Sequence, residues 1–78
     1  MILITIFLNL INMEKLKDVF ITPGVRYTKV KFCGKVFKRF QYIWMGKTMD
    51  IQWTDSESQF MNDSFERQIE DEFKKKVG

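Results

Sequence analysis

With 78 residues, 13 Lys or Arg against 10 Asp or Glu and a formal net charge of +3, the chain has room for one domain around one modest core. Its single cysteine, Cys33, excludes an internal disulfide, and the lack of histidine removes the usual partner of a zinc-binding thiolate. These features exclude a stapled secreted scaffold and point to a reducing, cytoplasmic setting with no cofactor.

Ala and His are absent, whereas Phe, Ile, Lys and Met are plentiful. AT-rich codons encode much of that second group, so an AT-rich genome such as that of a phage or mobile element is the expected origin. Residues 1–12 form an apolar N-terminal segment, followed at 13–78 by a single α+β domain. The segment is too short to span a bilayer, which takes about 20 residues. It also lacks the basic start and small-residue cleavage site of a secretory signal. It reads first as an extra strand or helix of the core. The other readings are a shallow membrane or partner anchor over residues 1–11, or an upstream extension with the start at Met13. The last requires a ribosome-binding site that Phe7 to Asn12 can hardly encode, because no codon choice for those residues contains two adjacent G bases.

From Val19 onward, Pro23-Gly24, Cys33-Gly34 and Gly46-Lys47 separate runs rich in Val, Ile, Phe, Tyr and Trp, which is a strand-and-hairpin pattern. A three-residue loop at Phe32-Cys33-Gly34 sets Lys31 opposite Lys35, Val30 opposite Val36 and Arg26 opposite Phe40. A two-residue Gly46-Lys47 turn sets Trp44 opposite Met49, Tyr42 opposite Ile51 and Phe40 opposite Trp53. Together these registers predict one covered face of Phe40, Tyr42, Trp44, Met49, Ile51 and Trp53, with Arg26 and Lys38 as its weak points.

Two capping-box patterns, Thr54-x-x-Glu57 and Ser56-x-x-Gln59, predict a helix start near residues 54–56. Met61, Phe65, Ile69, Phe73 and Val77 then recur every four residues as one apolar stripe. The predicted fold is therefore α+β: a three-stranded antiparallel meander packed by one C-terminal helix, with a fourth strand available from residues 1–22.

In that arrangement the other sheet face displays Tyr27, Lys29, Lys31, Lys35, Phe37, Arg39 and Gln41. No acid occurs between Asp18 and Asp50, while the helix carries Asp63, Glu66, Glu70, Asp71 and Glu72. Cations interleaved with exposed rings suit nucleic acid, because cations neutralise phosphates and flat rings stack on bases. The bland alternative is a lysine-rich face that solubilises a sheet. In its order of elements the chain resembles the DNA-binding arms of phage integrases, basic three-stranded sheets with a backing helix, and that resemblance implies a nucleic-acid ligand.

Catalytic patterns are thin. Asp50, Asp55 and Glu57 lie close in sequence, but no Gly-rich phosphate loop and no nucleophile–base pair accompanies them. Glu72-Phe73-Lys74 matches a nuclease-like fragment, yet a lysine at a helix end is explained by the helix dipole. Cys33 reads as a plain turn thiol without the imidazole that would activate it. The expectation is a small non-enzymatic protein that binds nucleic acid, or a nucleic-acid-handling complex, through its basic and aromatic face. The alternatives are a modulator docking on an acidic protein surface of a host, and a membrane-associated protein held by residues 1–11. The sequence argues against a membrane partner and leaves a dimer open without giving a symmetry signature.

Overall fold

The computed structural model describes residues 13–77, and the readings of residues 1–12 lie outside the described residues. One antiparallel sheet runs in chain order: β1 (Met13–Thr22), β2 (Val25–Phe32), β3 (Lys35–Trp44) and β4 (Lys47–Asp55). One helix, α1 (Asp63–Lys76), follows. The predicted meander with a C-terminal helix is present, and the fourth strand is there as β1. Among the described residues, no helix is long and apolar enough to cross a membrane.

β1 explains how a charged stretch from Glu14 to Asp18 becomes a strand. It is an edge strand interrupted by register shifts between Lys15 and Lys17 and between Phe20 and Thr22. Charge and irregular pairing at an edge discourage pairing with another chain.

Both predicted hairpin registers are corrected. The β2–β3 turn has two residues, Cys33 and Gly34, at φ 53° and 76°, with Phe32 opposite Lys35. The β3–β4 turn is Met45-Gly46, at φ 51° and 77°, with Trp44 opposite Lys47. Two consecutive positive φ values are what a type I′ turn requires, and its twist matches that of the flanking strands. The first loop is one residue shorter than predicted. The second turn lies one residue earlier, which alone would keep the faces, but a register shift between Tyr42 and Ile43 follows it. An odd change of register reverses the faces of a strand relative to its neighbour. The two odd changes cancel between β2 and β4, so β2, Ile51 and Trp53 keep their predicted faces, whereas Met49, the unpaired residue at the shift, is exposed. β3, lying between them, is inverted.

Val30 therefore pairs with Phe37, and Arg39 with Trp53. Met13, Val30, Phe37 and Trp53 form the buried face of the sheet, closed by Ile69 and Phe73 of α1. Trp53 and Phe73 meet edge to face with centroids 5.7 Å apart, and Phe65 lies 5.7 Å from Phe37. Fully burying a side chain such as Phe37 or Phe73 is worth about 1.5–3 kcal/mol, whereas Phe65 stays 37% exposed.

The helix begins later than its capping boxes predict. Asp55 Oδ1 accepts the backbone N–H groups of both Glu57 and Gln59, at 2.9 Å each. Those bonds hold a turn rather than a helix, and Ser58 inside it has φ 64°. Phe60 then bridges back to Thr54, and Asn62 caps α1 by accepting the N–H of Phe65 at 2.9 Å. Asp63 and Glu66 sit in the first turn and Lys74, Lys75 and Lys76 in the last, complementing the helix dipole. The four-residue stripe holds: Ile69 and Phe73 are its buried centre.

Candidate nucleic-acid interface

The inversion of β3 divides the predicted binding residues between two faces. Tyr27, Lys29 and Lys31 remain on the face turned away from α1. Lys35, Phe37, Arg39 and Gln41 lie on the helix side, where Phe37 and Arg39 are buried.

Arg39 has a structural task that the sequence reading missed. Its Nε and Nη2 donate to the two oxygens of Glu70 at 2.8 and 3.0 Å, and Nη1 donates to Gln41 at 3.3 Å. Trp53 Nε1 donates to the same Glu70 oxygen at 2.8 Å. The guanidinium also lies 4.5 Å from the centroid of Phe73. This knot ties helix to sheet with every buried polar atom paired: among the described residues no buried side-chain nitrogen or oxygen lacks a partner. Glu70 precedes Phe73 by three residues, so it shares the sheet-facing side of α1, and that spacing was the available signal.

Arg26, on the same face, is matched by Asp18. Its Nε donates to Asp18 Oδ1 at 2.8 Å, while Lys15 and Thr28 donate to the same carboxylate at 3.3 Å each. Lys38, the other predicted weak point of the covered face, faces outward.

These carboxylates give the fold an acid limit. Burial pushes the Glu70 carboxyl up, but hydrogen bonds from Arg39 and Trp53, with the charges of Arg39 and Lys74, outweigh it and hold Glu70 below its ordinary value. For Asp18 the hydrogen bond from Arg26 is the largest influence; it overcomes burial and, with Lys15, holds the group far below the usual carboxylate range. A depressed folded-state pKa means stability that is fully present above the unfolded value and lost as pH falls through the folded one. Urea midpoints should thus decline below about pH 4.5 for Glu70, with the Asp18 contribution lost at still lower pH. Glu70→Gln should remove the first part of that decline.

The outward face is built from rows set by the pairing. Lys17 opposes Lys29, and Lys29 opposes Lys38, so three ammonium side chains stand abreast on adjacent strands. Next to them Val19 opposes Tyr27, and Tyr27 opposes Phe40. The Tyr27 and Phe40 rings have centroids 5.2 Å apart at an angle of 34°. Strand alternation places Tyr42 and Trp44 on the same side as Phe40. Tyr42 donates its hydroxyl to Gln52 at 3.3 Å, and Trp44 is 68% exposed. The aromatic layer predicted to be buried is therefore, in its β3 part, the open face.

Three like charges in register cost stability, roughly 0.2–1 kcal/mol for each adjacent pair. Lys31 lies opposite Glu14, while Lys38 Nζ donates to the Ser58 hydroxyl at 3.2 Å. Among the described strands, the acids of this face are Glu14, at its border, and Asp50, opposite Tyr42. The other side of the molecule has the opposite character. A cleft of about 370 Å³ between β4 and α1 is lined by Ile51, Trp53, Asp63, Glu66, Arg67, Glu70 and Asp71. Three of its carboxylates, Asp63, Glu66 and Asp71, stand beside Glu70, which Arg39 already pairs, so the lining is predominantly acidic.

Two of the carboxylates weighed for catalysis, those of Asp50 and Asp55, hold nearby backbone N–H groups. Asp50 Oδ1 accepts the N–H of Ile51 at 2.9 Å, and Asp55 holds the turn described above. Cys33 is exposed at the first position of its turn. No family model, curated protein or solved structure matches the chain.

Proposed function

We propose that the chain is a small single-stranded nucleic-acid-binding protein whose platform is the open sheet face. The observation that carries this reading is the adjacency of two rows. Lys17, Lys29 and Lys38 neutralise phosphates, and the neighbouring Tyr27 and Phe40, continued by Tyr42 and Trp44, offer rings to bases. Base–aromatic stacking contributes about 1–3 kcal/mol per base and tolerates any sequence. The unrelieved repulsion along the lysine row favours an anionic occupant over empty solvent. Single strands suit the face better than duplex because rings on a sheet need unpaired bases to meet them.

The test is a fluorescence-anisotropy titration of labelled single-stranded and duplex oligonucleotides over a salt series. Single strands should bind more tightly. With four lysines engaged, counting Lys31, the logarithm of affinity should fall against that of salt with a slope of about −2 to −3. A second reading rests on the apolar side chains Phe20, Ile21 and Met49, which are 60%, 58% and 65% exposed. They suit a protein partner, and binding through them would be nearly independent of salt.

A further inference from the structure

We propose that the β3–β4 hairpin tip is a wedge that engages the junction between a single strand and a duplex. This inference rests on the reading of the open face as a single-strand platform. Same-face residues of a strand are about 6.7 Å apart, so Phe40, Tyr42 and Trp44 form a column of rings leading along β3 to the turn. That spacing is roughly twice the 3.4 Å rise per base of a stacked strand, so each ring meets its own separated base. A strand lying along this column reaches the tip, where Met45 is 85% exposed and Trp44 68%. Lys47, opposite Trp44, adds a cation at the same place.

Methionine is a costly choice at that position. Met45 has φ 51° ahead of Gly46 at 77°, a geometry that Asn-Gly fits and an ordinary side chain adopts only with strain. Cys33 bears the same strain in the β2–β3 turn, so backbone alone does not distinguish the two tips. The distinction is a large, flexible apolar side chain held in solvent beside an indole, at the end of a basic and aromatic path. Apolar side chains of this kind insert between base steps and unstack them. A polynucleotide already held by the platform places its first paired step against this tip.

Met45→Asn separates the wedge from the fold, because it supplies the preferred turn residue and should raise the melting temperature. The full chain would be mixed with an oligonucleotide that carries a single-stranded arm and 2-aminopurine at the first paired position. Wild type should increase the probe's emission and bind the junction about fivefold more tightly than the arm alone. Met45→Asn should bind the arm within about twofold of wild type, yet lose both the emission change and the junction preference. Wild type that binds the arm without any emission change overturns the wedge, as does a Met45→Asn variant that keeps it. Flotation with phosphatidylserine vesicles is the parallel arm: wild-type binding lost in Met45→Asn would assign the tip to lipid and overturn the proposal. Failure to bind the arm at all defeats the platform reading instead.

Discussion

Arg39→Ala should destabilise the protein by about 3 kcal/mol, enough to remove most of its stability. The lower part of the usual 3–5 kcal/mol range for breaking a buried ion pair applies, because the Glu70 side chain keeps 14% of its exposure and has Lys74 nearby. A domain of this size holds only about 3–5 kcal/mol in total. The loss has three physical parts: Glu70 is left charged and half-paired, Gln41 loses a donor, and Phe73 loses the guanidinium lying over its ring. Arg39→Met combined with Glu70→Gln should recover much of the deficit. Neither charge is then buried alone, and the new amide oxygen still accepts the Trp53 N–H. Urea denaturation of the three proteins measures this. A single-variant cost below about 1 kcal/mol would mean that the knot is not what seats the helix.

The lysine row should behave oppositely, with large effects on binding and small ones on folding. Reversing Lys17, Lys29 and Lys38 to glutamate together takes the net charge from +3 to −3. Each lost phosphate contact removes about 0.7 logarithmic units of affinity per tenfold salt interval on a single strand. Three contacts therefore amount to roughly a hundredfold at 0.1 M salt, before the new repulsion is counted. Three carboxylates abreast repel much as three ammoniums do, so stability should change little. Lys29→Glu alone is the sharper variant. It places one acid between two lysines and should stabilise the sheet by roughly 0.4–2 kcal/mol while weakening binding. A residue whose replacement improves folding and impairs binding serves the ligand at the expense of the fold.

Much of the architecture was legible in the sequence. Glycines after Cys33 and Met45 marked two hairpins, and the four-residue stripe through Ile69 and Phe73 marked the helix. The faces were less legible, for a definite reason. Cys33 and Met45 occupy left-handed backbone positions that ordinary residues seldom take, so the first loop reads one residue too long and the second turn one residue too late. β3 could not correct the slip by itself. Phe37 and Phe40, like Lys38 and Arg39, put an aromatic and a cation on each face, so either orientation looks amphipathic. The two predicted hairpins agreed because both were wrong by an odd number of residues, the first through a loop one residue too long and the second through the register shift between Tyr42 and Ile43. Of the seven residues predicted to share a face, Tyr27, Lys29 and Lys31 still face outward because β2 kept its face. Lys38, Phe40, Tyr42 and Trp44 replace the β3 residues that turned inward. The charged β1 strand was obscured by its bulges, and the helix start by Asp55, whose carboxylate captures the N–H groups that a capping box would have used.

The most direct test compares two triple variants of equal net charge in one anisotropy titration with a single-stranded oligonucleotide. Lys17→Glu, Lys29→Glu and Lys38→Glu change the open face, whereas Lys35→Glu, Arg67→Glu and Lys75→Glu change the helix side. An open-face platform predicts that the first set loses about a hundredfold in affinity and the second no more than about tenfold, through the altered overall field. Equal losses, or a larger loss from the helix-side set, would contradict it.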